Sequence, residues 1–179
     1  MNLGPIYIVC VGECESDVIP LLQHELEIIF GRPVEQGKPA TVALPGDAFS
    51  PLRRQFLSPA ILKRLARTVP RQERPLLGVT DVDLYVPGLN FVFGEADPSH
   101  LIGLISTYRL HYGLPRGIPG KALFQSRVVK EAVHELGHVF GLGHCNDPHC
   151  VMFFSNTLGD TDRKGKNFCS RCWGKLRQR

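Results

Sequence analysis

The stretch HELGHVFGLGH, residues 134–144, holds three histidines, one glutamate and three glycines. The residues before it, SRVVKEAV, continue a helical pattern: Val129, Val133, Leu136, Val139 and Phe140 form one apolar stripe. A helix is therefore predicted over 126–142, with Ser126 as its cap. On a helix, positions four apart differ by about 40° around the axis and about 6 Å along it. His134 and His138 thus share a face and can bind one ion, and Glu135 can reach a water on that ion. A helix with two surface histidines and an acid is the bland alternative, but this helix is otherwise apolar, and polar groups in an apolar stripe need partners.

If the helix continued, His144 would lie about 240° round from His138 and about 9 Å further on, too far to join the same ion. The chain must leave the helix and turn back. Gly141 tolerates a left-handed turn and Gly143 adds a second pliable point. Three imidazoles would then hold a zinc ion at about 2 Å and keep one position open for water, the arrangement of a catalytic site.

Four cysteines follow. Cys145 adjoins the third histidine, Cys150 comes next, and Cys169 and Cys172 stand in CSRC. Two close pairs across a loop suit a structural zinc held by four thiolates. His149 is an alternative to Cys150; Cys150 is preferred because thiolate pairs are the commoner structural ligands. Cys10 and Cys14 read as small core or loop residues. His24, His100 and His111 belong to no motif.

The pattern HExxHxxGxxH resembles that of the metzincin metallopeptidases, in which a methionine after the third histidine forms a turn beneath the ligands; here Met152 occupies that place. With the four cysteines, residues 134–172 look like an archaemetzincin. The resemblance implies His134, His138 and His144 as ligands of a catalytic zinc, Glu135 as base and acid, and Met152 as the turn residue. It also implies Cys145, Cys150, Cys169 and Cys172 as ligands of a second zinc. Some metzincins have a tyrosine just after the methionine turn. Here MFFSN has none, which leaves zinc as the main stabiliser of an oxyanion. The implied reaction is hydrolysis of a peptide bond by a zinc-bound water, with Glu135 moving the proton.

The remaining sequence is compatible with the mixed α/β fold of that family. GPIYIVCVG reads as a first strand and SDVIPLLQHELEIIFG as a helix stopped by Gly31. TVALP is a short strand, and a helix follows from Ser58 and Pro59. RPLLGVTDVDLYV and GLNFVFGEA read as two strands joined at Pro87 and Gly88, and SHLIGLISTYRL as another. Residues 111–120 have too many Gly and Pro for a regular element. After Gly143 little regular structure is expected before a helix near the end. GLNFVFGEA is the best candidate for an edge strand along which an extended substrate would lie, an internal strand being the alternative.

At 179 residues with 43% hydrophobic content, the chain is expected to be one catalytic domain. It divides into an N-terminal subdomain (1–143), carrying a mixed twisted sheet and its helices, and a small zinc-bound C-terminal subdomain (144–179). No stretch approaches a membrane span. The N-terminus lacks a basic start and meets Glu13 and Glu15, so it reads as a strand and not a signal peptide. A cytoplasmic monomer without disulfides is the expectation. Residues 161–179 hold seven Lys or Arg (Arg163, Lys164, Lys166, Arg171, Lys175, Arg177, Arg179) against Asp162 alone. A solvated basic end is the plain reading, and weak nucleic-acid contact the alternative. The expected partners are peptide or protein substrates. Endopeptidase and aminopeptidase action stay open, as do a nucleic-acid-associated zinc protein and a silent peptide binder.

Overall fold

A computed structural model describes residues 4–178. The chain runs β1 (Ile6–Val11), α1 (Val18–Phe30), β2 (Val34–Val42), β3 (Phe49–Ser50), β4 (Gln55–Leu57) and α2 (Ser58–Thr68). It continues with β5 (Leu76–Thr80), β6 (Leu84–Tyr85), β7 (Gly94–Asp97), β8 (Ile102–Ser106), α3 (Ile118–Val139), α4 (Leu158–Arg163) and α5 (Ser170–Arg177). The architecture is mixed α/β, as expected.

The main sheet has the order β2-β1-β5-β8-β7. Its first four strands are parallel, and β7 is antiparallel at the edge. Every residue of β5 and β8 is buried, because both faces of these strands are covered. Ile6, Ile8, Leu77, Val79 and Ile105 pack in one core with residues of α1 and α3. Val9, Val11, Leu76, Ile102 and Leu104 pack in the other, with Ile61, Leu62 and Leu65 of α2. A small sheet, β3-β4-β6, lies beside them.

Several expectations are corrected. Of TVALP only Thr41 and Val42 are strand, as the end of β2, a nine-residue edge strand whose exposed polar face hid it from a hydrophobicity reading. RPLLGVTDVDLYV is two strands in different sheets, broken at residues 81–83, where Asp83 turns to bind Arg109 and Gln55. Helix α3 begins at Ile118, eight residues before Ser126, with Gly117 (φ 74°) as its cap and a proline in its first turn. A proline there removes no helical hydrogen bond, so the Gly- and Pro-rich stretch ends inside a helix. Helix α4 was missed; its signal is a capping box in which Thr157 Oγ1 accepts from the Asp160 amide at 3.3 Å and the Asp160 carboxylate accepts from the Thr157 amide at 3.0 Å. Cys10 and Cys14 are joined by a disulfide, because the left-handed Gly12 (φ 75°) turns the chain back and brings their Cα atoms to 5.9 Å.

The segment around α4 docks on α3 through charge. Arg127 forms two hydrogen bonds with the Asp162 carboxylate, both 2.7 Å. Lys130 Nζ donates to the carbonyls of Thr161 and Asp162. Lys164 is 1% exposed, and its ammonium lies 3.0 Å from Glu131 Oε1. The approach satisfies an ion pair but not hydrogen-bond angles. Thr161 Oγ1 donates to the same carboxylate at 3.1 Å. Breaking one partner of a buried pair strands the other charge, which costs about 3–5 kcal/mol. Lys164→Ala is therefore expected to lower the stability in urea unfolding by that order; a loss below about 1 kcal/mol would contradict the pairing.

Candidate metal centres and cleft

Helix α3 carries the first two histidines and ends where the third requires it to end. Phe140 caps the helix, and Gly141 follows at φ 81°. The Leu142 amide donates to the Gly137 carbonyl and the Gly141 amide to that of His138, at 2.9 and 2.8 Å. This pair of bonds is a Schellman motif. It reverses the chain and brings His144 back to face His134, their ring centroids 5.4 Å apart.

The ligand nitrogens of His134, His138 and His144 all lie within 4.8 Å of one another. His134 Nδ1 donates to the Val151 carbonyl and His138 Nδ1 to the Leu142 carbonyl, both at 2.8 Å. Those bonds fix the tautomers and turn the two Nε2 atoms together, 3.1 Å apart. Nitrogens about 2.0–2.1 Å from one tetrahedral zinc would stand about 3.3 Å apart, so the donor set fits the metal. Burial, with Lys164 and His138 adding to it, holds the His134 pKa well below its ordinary value. His138 and His144 are lowered too, first by burial. All three are thereby kept neutral, as ligation requires.

Glu135 is 5% exposed. Burial, then the nearby Glu131 and Glu95 carboxylates, raise its pKa well above the usual range, against the opposing pull of Lys164. The sheet closes tightly on it: a Cβ at Gly94 would lie 2.7 Å from Glu135 Cγ, and one at Gly103 would lie 3.3 Å from Glu135 Cβ. Beside His134 and Glu135 opens a cavity of about 220 Å³. Residues 89–94 line it as a continuous wall, together with Glu131 and with Phe154, Ser155 and Asn156.

The sulphurs of Cys145, Cys150, Cys169 and Cys172 also cluster within 4.8 Å. Cys150, rather than the exposed His149, joins the group. Cys145 and Cys169 Sγ are 3.8 Å apart, the spacing that thiolates about 2.3 Å from one tetrahedral ion would have. Burial pushes the Cys145 thiol up, but the Asp147 amide, the Arg171 guanidinium and the neighbouring thiols outweigh it and bring the pKa to about 7. That favours the thiolate a metal takes at Cys145, while burial pushes the Cys150 and Cys172 thiols up.

Met152 is fully buried. Its carbonyl accepts from the Cys145 amide at 2.9 Å, and its sulphur rests against Gly137, between His134 and His138 on the helix. Sequence reasoning missed Glu131 and Lys164 because their link depends on the missed helix α4. It also read the C-terminal cations as a solvated end, which among the described ones fails only at Lys164. Lys164 is buried, Lys166 pairs with Glu25 at 2.6 Å, Arg171 donates to Cys145 Sγ and Arg177 lies over Trp173. Arg179 lies outside the described residues. Among the described residues, no helix is long and apolar enough to cross a membrane.

GLNFVFGEA forms regular strand only at β7, which lies at the sheet edge. Residues 89–93 instead bend into the cavity wall.

Comparison with known proteins points the same way. Residues 73–178 match peptidase family M54. The archaemetzincin of Pyrococcus furiosus is 43% identical, over 97% of this chain and 93% of its own. That of Methanocaldococcus jannaschii is 41% identical, over 94% and 90%. The crystal structure of the Archaeoglobus fulgidus archaemetzincin, complexed with malonate, superposes with a TM-score of 0.79 at 37% identity, covering 96% of this chain and 99% of that one. A zinc-dependent peptidase from Methanocorpusculum labreanum gives a TM-score of 0.82 at 30% identity, covering 96% and 99%.

The contact between Gly137 and Met152 leaves no room for a side chain. In Gly137→Ala the new methyl must displace the methionine sulphur beneath the histidines. The expected result is about tenfold or more weaker retention of zinc in chelator competition, with helical content kept. Unchanged retention would show that Met152 does not set the ligand geometry.

Proposed function

The chain belongs to peptidase family M54, the archaemetzincins, and is a zinc metallopeptidase; from that premise we propose that His134, His138 and His144 hold the catalytic zinc and that Glu135 is the general base. The observation that carries the assignment is the convergence of three imidazoles beside one buried carboxylate at the edge of a cavity. Zinc in such a site lowers the pKa of water and polarises a carbonyl.

Glu135 accepts the proton of the attacking water as the new C–O bond forms, and returns it to the amide nitrogen as the C–N bond breaks. Burial raises its pKa above the usual carboxylate range, which makes it a stronger base for the proton of water than an exposed glutamate would be. Gly94 and Gly103 let the sheet close on Glu135 and fix its position. Residues 1–143 and 144–179 act as two subdomains, with residues 89–94 and 154–156 facing each other across the bound peptide. Cys145, Cys150, Cys169 and Cys172 hold a second zinc, which is structural because four thiolates leave no open position. Since Cys145 follows His144, that centre also fixes the third histidine.

Glu135→Ala is expected to keep its zinc and lose at least about a hundredfold in turnover on a mixed peptide library read by mass spectrometry. Cuts made only by the wild type would also separate internal cleavage from removal of terminal residues. Undiminished cutting by Glu135→Ala would remove Glu135 from the mechanism. The Cys169→Ser, Cys172→Ser double variant should lose the second zinc in elemental analysis and bind the first more weakly; wild-type metal content and folding would refute the structural centre.

A further inference from the structure

The wall of the cleft formed by residues 89–93 is the tip and return of a small hairpin, and it is held from behind. Val92 N–H donates to the Leu84 carbonyl at 3.0 Å, and Leu89 N–H to the Val86 carbonyl at 3.2 Å, with Gly88 at φ 88°. Arg53, from the turn between β3 and β4, donates through Nη2 to the carbonyls of Leu89 and Asn90, at 3.0 and 2.9 Å. Its Nε donates to Gln55 Oε1 at 2.9 Å, and its guanidinium lies 4.5 Å from the centre of the Tyr85 ring. Gln55, only 5% exposed, donates from Nε2 to the Asn90 carbonyl at 3.0 Å and to Asp83 at 3.1 Å. Arg109 grips the same Asp83 with two bonds, 2.6 and 2.7 Å, and lays its guanidinium 4.2 Å from the centre of the Phe91 ring.

None of Arg53, Gln55, Asp83 and Arg109 lines the cavity, while Leu89, Asn90 and Phe91 do. Three separate parts of the chain thus converge on the outside of one cleft wall. We propose that Arg53 and Gln55, backed by Asp83 and Arg109, are positioning residues for peptide substrates. They set this wall against His134 and Glu135 before substrate arrives. The inference rests on the peptidase reading of the cleft and goes beyond it. An irregular segment that had to order on binding would charge its lost freedom to affinity, and a wall already fixed avoids that loss. The hydrogen bonds and ring contacts that make up the clamp end on residues 83–91 and on one another, not on Glu135 or the histidines, so its effect belongs to binding and not to the chemical step. The planar fork of Arg53 meets two carbonyls and Gln55 at once, which a lysine cannot reproduce.

The test uses the zinc-loaded full chain and the library peptide that the wild type cuts fastest. Arg53→Ala and Gln55→Ala are each expected to raise KM about five- to tenfold with kcat within about twofold, and Arg53→Lys to recover less than half of the loss. On a Glu135→Ala background, the dissociation constant of the same peptide should rise by the same factor. Hydrogen exchange at the amides of residues 89–92 should quicken in the variants. Unchanged exchange, an unchanged KM in both Arg53→Ala and Gln55→Ala, or a fall in kcat alone would each overturn the proposal. Failure of the peptidase reading shows separately, as a zinc-loaded wild type that cuts no peptide of the library; in that event the hydrogen exchange of residues 89–92 in Arg53→Ala and Gln55→Ala still decides whether the clamp fixes the wall.

Discussion

A straight helix cannot bring a third side chain, six residues past the second, to an ion held by two residues four apart. The geometry of α3 therefore requires a reversal at one place, and the Schellman motif at Gly141 supplies it. Much of the C-terminal region is organised by that turn. It releases the Leu142 carbonyl to orient His138. It sends His144 and Cys145 back along the helix, and it lets the Met152 loop pass beneath Gly137. The Val151 carbonyl on that loop orients His134 in turn. Two of the three imidazoles are thus aimed by backbone that follows the turn.

Two further attachments hold the returning chain. One is the thiol cluster, which joins Cys145 and Cys150 to Cys169 and Cys172 of the C-terminal segment. The other is the line of charge along α3, where Arg127, Lys130 and Glu131 meet residues 161–164. The second reaches the cleft itself, since Glu131 contributes to the cavity beside His134. A buried ion pair is weak evidence for net stability, because desolvation offsets much of its attraction, but stranding one of its charges is costly.

The site was far more legible in the sequence than the fold. The histidines of the candidate centre lie close together in this chain, and a motif such as HExxHxxGxxH carries its geometry in its spacing. The apolar stripe of α3 and the stop at Gly31 were equally local signals, and both elements formed. Elements that depend on distant partners were less visible. Half-exposed β2 owes its strand state to pairing with β1, not to its own composition. Asp83 ends the extended run after β5 by pairing with Arg109, twenty-six residues later. Lys164 looked like part of a solvated basic tail because only the docking of α4 buries it. The disulfide between Cys10 and Cys14 depends on the left-handed turn at Gly12, which their spacing alone did not reveal.

The open border of the sheet at β7 has another consequence. An edge strand offers unpaired main-chain donors and acceptors to any extended chain, including the same strand of a second molecule, and so invites aggregation. Here the edge is only four residues long and carries Glu95 and Asp97. On one side it runs into the tethered hairpin at Val92, and on the other it ends in a turn at residues 98–101. Two copies laid edge to edge would gain only a very short ladder. The border is therefore poorly suited to self-association, and its shortness acts as a safeguard against fibre formation.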